Sequence, residues 1–250
     1  SVCDTVTSTI IVSPTIDAVS DTATITPGNP SLPLTNNDTI NGAGPVTPGP
    51  GGNVILTPVT VPDGLTLNPQ TGIVSVTPGT TPGTYAVVYQ ICQVSNPSVC
   101  DTVTSTIIVS PTIDAVDDIA TVTPGGTTTG TVFVNDTLNG VAFIPSQVNL
   151  THSPLPTGLT MNPNGTFTVA SGTTPGIYTV TYTICQVSNP TVCDTATVTI
   201  TVSPTIDAVD DIATVTPGGT TGTVFINDTL NGVAFNPSQV NLTHSPLPTG

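Results

Sequence analysis

Long runs of the chain alternate between apolar residues and threonine. Residues 176–187 read G-I-Y-T-V-T-Y-T-I-C-Q-V, and residues 192–202 read V-C-D-T-A-T-V-T-I-T-V. In both runs most bulky apolar side chains, among them Tyr178, Val180, Tyr182 and Ile184, share one parity, which is the period of a strand with one buried face. The pattern predicts two long strands, each with one apolar face and one face lined by threonine.

Shorter apolar runs, separated by turn-forming residues, precede these two strands. They predict strands over 118–123 and 129–136, a tight turn at Asn139–Gly140, a region over 141–152 that Pro145 interrupts, and a strand pair over 158–161 and 166–170. No run has the period of a helix. About seven short strands with turns between them predict an all-β fold, an immunoglobulin-like antiparallel β-sandwich.

The same succession of segments recurs along the chain. Residues 1–19 are identical to residues 98–116, and the joint sequence D-A-V-[SD]-D begins at Asp17, Asp114 and Asp207, spaced 97 and then 93 residues apart. A fixed period of this kind is typical of tandem arrays. We therefore expect rod-like tandem modules.

The repeats divide the chain into predicted modules, each of the size of a small independent domain. The predicted boundaries are the end of a preceding module over 1–13, immunoglobulin-like modules over 17–110 and 114–203, and the first half of a further module over 207–250. We expect the segment to belong to a longer array.

The charge inventory narrows the possible partners. The chain has no Lys or Arg and 15 acidic residues, all aspartate, for a formal charge of −15. Nucleic acid is excluded, because phosphate binding depends on Lys and Arg. The apolar runs are far shorter than the ~20 residues of a membrane-spanning helix, so we expect no membrane span in this segment. A disordered stalk rich in threonine and proline is the alternative, which the strict alternation disfavours.

Cysteines occur in Cys-x7-Cys segments at the ends of the two long strands, on the threonine-lined face. Cys185 can therefore meet Cys193 across the hairpin, and Cys92 can meet Cys100 one repeat earlier. We predict these two disulfides and, with them, an oxidising, extracellular setting. Metal binding is the alternative, but no His or further Cys lies near enough to complete a zinc site.

Aspartates cluster at the expected joints between modules. If strand 118–123 leaves the joint and strand 129–136 returns to it, carboxylates from both strands and from the linker converge. Clustered oxygen ligands suit Ca²⁺, and the alternative is a set of solvated aspartates at turns and strand ends. The predicted calcium ligands are Asp114, Asp117, Asp118 and Asp136 at one joint and Asp207, Asp210, Asp211 and Asp228 at the next.

Three segments resemble two known families. P-D-G-L-T-L-N-P-Q-T-G-I-V-S-V-T-P-G-T-T-P-G-T-Y (Pro62–Tyr85) is similar to the signature of immunoglobulin-like repeats of bacterial surface proteins, as is P-T-G-L-T-M-N-P-N-G-T-F (Pro156–Phe167). D-A-V-D-D-I-A-T-V-T-P-G-G-T-T-T-G-T-V-F-V-N-D-T (Asp114–Thr137) resembles the opening of cadherin-like bacterial adhesin repeats. In this resemblance Tyr85 and Tyr178 occupy the place of the tyrosine corner.

The resemblance implies an immunoglobulin-like stalk or adhesin at a bacterial cell surface, similar to the giant repetitive adhesins of gliding bacteroidete bacteria. It also implies calcium at the joints. The chain departs from antibody domains, because it has no Trp and its cysteines are not placed to join two sheets.

The tripeptide Asp-Thr-apolar recurs and is similar to the acceptor motif for O-glycosylation in secreted bacteroidete proteins. The alternative is that Asp-Thr pairs are common in threonine-rich strands. The predicted glycosylation sites are Thr5, Thr22, Thr39, Thr102, Thr137, Thr195 and Thr229.

The sequence contains few residues of the types that carry out catalysis. The only two histidines, His152 and His244, occupy one repeat position, which Pro58 fills in the first full module, so we expect solvent-facing loop histidines and no enzyme. The predicted function is a stalk or adhesin that extends from the cell and supports attachment, with a surface or glycan as ligand and possible self-association. The alternative is a subunit of a non-covalently polymerised extracellular filament. A lectin is disfavoured by the absence of Trp.

Overall fold

The computed structural model describes residues 3–247 of the chain. It divides into two compact units, one formed by Ser1–Thr112 with Leu138–Val141 and the other by Ile113–Thr137 with Ala142–Gly250. Both units are built from short β-strands, and the prediction of an all-β fold is confirmed.

The strands of residues 3–112 are named β1 to β9 in chain order. They are β1 (Ile16–Asp17), β2 (Thr22–Ile25), β3 (Pro30–Pro33), β4 (Thr39–Ile40), β5 (Val54–Thr60), β6 (Leu65–Leu67), β7 (Ile73–Val76), β8 (Gly83–Gln93) and β9 (Cys100–Val109). They form a four-stranded sheet of order β2-β9-β8-β5, a three-stranded sheet of order β3-β7-β6 and the pair β1-β4.

The remaining strands repeat this plan with a shorter second sheet. They are β10 (Ile113–Asp114), β11 (Asp118–Val122), β12 (Thr137–Leu138), β13 (Val148–His152), β14 (Leu159–Met161), β15 (Phe167–Val169), β16 (Gly176–Gln186), β17 (Cys193–Val202), β18 (Ile206–Asp207) and β19 (Thr229–Leu230). A four-stranded sheet has the order β11-β17-β16-β13, and two-stranded sheets pair β10 with β12, β14 with β15 and β18 with β19.

The two longest strands of each repeat form the antiparallel hairpin that the alternation predicts. In β16 and β17 the residues directly opposite each other include Val180 and Val198 as well as Cys185 and Cys193. Val180, Tyr182, Ile184 and Val198 are at most 1% exposed, while the intervening threonines lie on the other face. The predicted assignment of faces is therefore confirmed.

One strand of each four-stranded sheet is parallel to its neighbour, a detail that the sequence pattern does not predict. The short edge strand β11 runs parallel to β17, from Asp118 opposite Val198 to Val122 opposite Val202. The strand β2 pairs with β9 in the same way. In each four-stranded sheet, the first strand in chain order thus lies beside the last strand and points in the same direction.

Each sandwich has its own hydrophobic core. In the first, side chains of β8 and β9 pack with those of β6 and β7, and Tyr89 is completely buried. In the second, β16 and β17 pack with β14 and β15 around Tyr182, which is also completely buried. The apolar faces that the alternation defines are therefore the faces that meet inside each sandwich.

The prediction of a strand over residues 129–136 is wrong. None of these eight residues is in a strand, and the nearest strand that follows is β12 (Thr137–Leu138). Val132 and Phe133 are consecutive, and both are buried, which a regular strand cannot achieve because its side chains alternate between two faces. The segment instead folds as a turn, with the Thr128 hydroxyl donating to Gly130 O at 2.9 Å.

A tyrosine corner is present in both sandwiches. The Tyr85 hydroxyl donates to Thr81 O at 2.6 Å, and the Tyr178 hydroxyl donates to Thr174 O at 2.6 Å. Each bond ties the start of a long strand to the loop before it, as the resemblance implies for these two residues.

Candidate functional site

The hairpin ends carry the covalent links of the structure. Cys92 is bonded to Cys100 and Cys185 to Cys193, with Cα–Cα distances of 4.1 and 4.0 Å. The two cysteines of each pair are direct opposite neighbours in the ladder, and their side chains lie on the threonine-lined face. These are the two pairs that the parity of the strands predicts.

A buried polar site of the second unit surrounds the hydroxyl of Tyr182. This hydroxyl lies 3.0 Å from Asp118 Oδ2 and 3.1 Å from Asp136 Oδ1. The carbonyl oxygens of Val116 and Val132 lie 3.1 and 3.2 Å from it. A phenol has one proton and can donate to only one of these oxygens at a time, so a second proton on one carboxyl satisfies the cluster better than two charged carboxylates.

Burial favours the protonated, uncharged form of the carboxyl groups at this site. It raises the pKa of Asp118 to about 6, with the hydrogen bond from Tyr182 opposing the shift and the charge of Asp136 adding to it. Burial also raises the pKa of Asp136, against the hydrogen bonds from Val116 and Tyr182. The pKa of Tyr182 is raised as well, mainly by burial and then by the charge of Asp136, so the phenol keeps its proton.

The first unit builds the same site from slightly different residues. The Tyr89 hydroxyl donates to Leu34 O at 2.9 Å and lies 3.1 Å from Asp38 Oδ2. Asp21, the counterpart of Asp118, accepts instead from the Ser105 hydroxyl at 3.4 Å, and its own N–H donates to Ser105 Oγ at 3.0 Å. Val198 stands opposite Asp118 where Ser105 is available to Asp21, which explains why only Asp118 turns to the tyrosine.

A second role of the buried aspartate is to hold the joint backbone. Asp136 Oδ1 accepts the N–H of Val116 at 2.8 Å. The same bond recurs in the other repeats, from Val19 N–H to Asp38 Oδ1 at 2.7 Å and from Val209 N–H to Asp228 Oδ1 at 2.8 Å. The predicted convergence of Asp136 on the Asp117–Asp118 segment therefore occurs, and its partner is a backbone amide.

Two aspartates that the sequence reasoning assigned no role complete this arrangement. Asp194 Oδ2 accepts the N–H of Ala115 at 2.9 Å, and Asp101 Oδ2 accepts the N–H of Ala18 at 2.9 Å. The signal in the sequence is the Asp-Thr pair that follows the second cysteine in each repeat. The joint segments at residues 17–19 and 114–116 are thus each held by aspartates from two directions.

The remaining predicted calcium ligands face the sheet or the surface. Asp117 Oδ1 accepts the N–H of Thr197 on β17 at 2.8 Å, so this carboxylate faces the sheet. Asp114, Asp207, Asp210 and Asp211 are exposed. Among residues 3–247, no group of three or more Asp, His or Cys side chains is placed to hold a metal ion. The carboxylates in this arrangement do not fit a bound calcium ion.

The predicted glycosylation sites fall into two structural groups. Thr102 and Thr195 are exposed on the outer faces of β9 and β17, where a glycan has room. Thr195 shares a 2.9 Å hydrogen bond with Thr183. Thr5 and Thr22 are exposed as well, whereas Thr39, Thr137 and Thr229 are half-buried in the short strands of the joints.

The clefts of the described residues offer little for catalysis. His152 is exposed, and its ring Nδ1 lies 2.8 Å from Ser153 O. A groove of about 260 Å³ runs between the edge strand β11 and residues 128–134. Ile119 and Val134, which are 90% and 77% exposed, line it together with Asp118 and several threonines, so the groove is a surface feature of mixed polarity beside an open sheet edge.

In the part of the chain that the structure describes, no helix has the length and apolar character needed to cross a bilayer.

No protein-family model and no curated protein matches the chain. Similar solved structures include mouse cadherin-23 EC22-24, with 15% identity and a TM-score of 0.30 over 76% of this chain and 64% of that one. The human desmocollin-1 ectodomain is similar with 12% identity and a TM-score of 0.29 over 76% of this chain and 42% of that one. Drosophila N-cadherin EC1-4 is similar with 10% identity and a TM-score of 0.29 over 77% of this chain and 50% of that one. The chain spans less than two thirds of the length of each. A likeness at this level carries no argument about function or ligands.

Proposed function

We propose that this chain is a segment of a non-enzymatic extracellular stalk or adhesin, whose tandem sandwiches extend from a bacterial cell surface and support attachment, including attachment during gliding. The observation that carries the proposal is the pair of disulfides, Cys92–Cys100 and Cys185–Cys193, at one position of two successive repeats. Such bonds persist in oxidising compartments. A staple in each repeat suits modules that must each stay folded outside the cell.

The likeness between the two sandwiches supports a spacer role. Tyr89 and Tyr182 fill the same core position, and Asp38 and Asp136 hold the same backbone amide. Repetition of one design favours a passive extension over a series of specialised binding domains. The proposed partners are neighbouring modules of the same chain and a surface or glycan that the array reaches.

The second candidate is a subunit of a non-covalently polymerised extracellular filament. The specific observation in its favour is the exposure of Ile119 and Val134 beside the edge strand β11. An open sheet edge with apolar side chains is a surface on which another strand can add.

The mass of the native polypeptide under denaturing, reducing conditions separates the two candidates. For a stalk we expect one covalent chain many times larger than the 25.1 kDa of this segment. Electron micrographs should then show thin particles whose length matches that mass. Long particles that dissolve into chains close to the mass of this segment would overturn the stalk in favour of the filament.

Calcium at the joints stays a prediction from sequence, because it requires Asp114 and Asp117 to turn towards Asp136. The test compares melting temperatures in calcium and in chelator. A calcium-dependent rise that Asp136→Asn abolishes would support a metal at the joint. Equal melting temperatures would contradict it.

Glycosylation also stays a prediction, and we propose Thr102 and Thr195 as its best-placed sites because both are exposed on a regular strand. Glycopeptide mass spectra of the native protein should show hexose-containing modifications on these residues. Peptides that contain only unmodified threonine would contradict the proposal.

A further inference from the structure

Each repeat projects a tight turn of identical design. Leu138 and Val141 bond to each other through both backbone amides, and the turn between them is Asn139–Gly140. Both turn residues have positive φ, which matches the hairpin turn that favours Asn-Gly. The φ angles are 52° and 77° for Asn139 and Gly140, 54° and 76° for Asn231 and Gly232, and 52° and 76° for Asn41 and Gly42.

The asparagine of each turn forms two hydrogen bonds with the linker that leads into its own repeat. Asn139 N–H donates to Thr112 O at 2.9 Å, and Asn139 Oδ1 accepts the N–H of Thr112 at 2.9 Å. The same two bonds join Asn41 to Thr15 at 3.0 and 2.8 Å and Asn231 to Thr205 at 2.8 and 3.0 Å. The turn and the linker therefore form one ordered piece.

The carbonyl of this asparagine accepts a hydrogen bond from the repeat before it. Within the second unit, the N–H of Gly172 donates to Asn231 O at 2.8 Å. Within the first unit, the N–H of Gly79 donates to Asn139 O at 2.7 Å. The same contact thus occurs twice, with different neighbouring residues.

Close packing accompanies the hydrogen bond. In the second unit, a Cβ on Gly232 would lie 3.2 Å from Ser171 Oγ, and a Cβ on Gly172 would lie 3.2 Å from Val233. In the first unit, the distances are 3.2 Å from Gly140 to Pro78 and 3.3 Å from Gly79 to Val141. At both contacts, a side chain on the glycine would require the facing turn to move by a few tenths of an ångström.

The turn that contains the donor glycine, Gly79 or Gly172, has hydrogen bonds of its own that do not depend on this contact. Thr80 Oγ1 donates to Thr77 O at 2.6 Å, and Thr173 Oγ1 donates to Ala170 O at 2.6 Å. Gly79 and Gly172 have φ of 84° and 79°, a conformation that glycine adopts without strain. The turn therefore presents its glycine N–H in a fixed direction.

We infer that the Asn-Gly turn of each repeat is a docking surface for the x-Gly-Thr turn, at residues 77–81 and 170–174, of the repeat that precedes it. Successive repeats are then attached at two points, through the peptide linker and through this contact. The Asn41–Gly42 turn presents the same surface, and the partner that fits it is an x-Gly-Thr turn of another repeat of this kind. This contact between repeats does not depend on which surface or ligand the array binds.

The experiment measures hydrogen exchange at the Gly79 and Gly172 amides by NMR in the 250-residue chain and in three variants. Gly140→Ala and Gly232→Ala add a methyl group that meets the docked turn. Gly42→Ala is the matched control, because its φ is the same and, apart from its two chain neighbours, no residue of 3–247 has an atom within 4 Å of its Cβ position. All three variants carry the same backbone strain.

We expect Gly140→Ala to accelerate exchange at Gly79, and Gly232→Ala to accelerate exchange at Gly172, each by about tenfold, as for the loss of one hydrogen bond. Gly42→Ala should leave both rates unchanged. Core amides such as Val87 and Val180 report whether each variant stays folded.

A measurement on the unmodified chain keeps the test independent of the variants. A scalar coupling across the hydrogen bond, from Gly172 N to the Asn231 carbonyl carbon, should be detectable. No coupling, together with exchange at Gly172 as fast as in an unfolded peptide, would overturn the inference. Equal acceleration by Gly42→Ala would overturn it as well, because the effect would then come from strain in the turn alone.

Discussion

The chain contains one ten-residue sequence twice, C-D-T-V-T-S-T-I-I-V, and the two copies differ in structure. Residues 100–109 form β9, which lies between β2 and β8, and Ile107 is completely buried there. Residues 3–12 form no strand, and Ile10, the counterpart of Ile107, is 85% exposed. Alternation gives a segment the capacity to be a strand, and its neighbours in space decide whether it becomes one.

The strongest test of this comparison is the same truncation in both copies. Ile107→Ala removes buried methyl groups from the core and should lower the free energy of unfolding of the first unit by about 2–5 kcal/mol. Ile10→Ala changes an exposed side chain in an identical local sequence and should change it by less than about 0.5 kcal/mol. Urea unfolding measures both, and equal effects would mean that residues 3–12 are also packed.

Removal of a disulfide tests how far β9 depends on its covalent link to β8. The double variant Cys92→Ser with Cys100→Ser opens a short loop and should destabilise the first unit by about 2–3 kcal/mol, since the unfolded chain gains freedom. The Cys185–Cys193 hairpin of the same chain is the internal control. If the first unit melts at its original temperature, the strand partners alone hold β9.

The buried carboxylates beside β8 and β9 predict a stability that rises as the pH falls. Burial raises the pKa of Asp38 from 3.8 to about 6, and the charges of Asp21 and Asp17 add to this against hydrogen bonds from Val19 and Tyr89. The folded state then binds the proton more tightly than the unfolded state, so the first unit gains stability as pH falls from about 6 towards 3.8. Melting temperatures across this range measure the slope, and Asp38→Asn should flatten it.

The smallest expected effect comes from a pair of serines. Ser105 is buried, and its hydroxyl accepts the N–H of Asp21, so Ser105→Ala should cost about 1 kcal/mol. Ser8 is its exposed counterpart, and Ser8→Ala should cost nothing measurable. Chemical unfolding of the two variants measures their free energies of unfolding. A measurable loss of stability in Ser8→Ala would mean that residues 3–12 are packed as residues 100–109 are.

Sequence predicted the parts of the fold whose signal is local. The hairpin β16–β17, its buried face and the Cys185–Cys193 pairing follow from a period of two within one continuous segment. The Asn139–Gly140 turn follows from residue types that tolerate positive φ. These features depend on neighbours along the chain, so the sequence alone contains what they need.

The features that depend on distant residues were missed. Asp118 turns to Tyr182 because Val198, on another strand, cannot accept or donate a hydrogen bond where Ser105 does both for Asp21. The run T-V-F-V at residues 131–134 is typical of a strand, but Val132 and Phe133 both enter the core. No local pattern contains either outcome, since each is settled by the packing of the whole sandwich.

The parallel pairing of β11 with β17 gives each module a mechanical property. A tandem chain under tension is pulled at the entry to its first strand and at the exit from its last strand. Because Asp118–Val122 and Val198–Val202 are parallel neighbours, these two pulls slide the strands past each other lengthwise. The backbone hydrogen bonds between the two strands are then loaded together in shear. If the same strands were antiparallel, the force would break these hydrogen bonds one at a time.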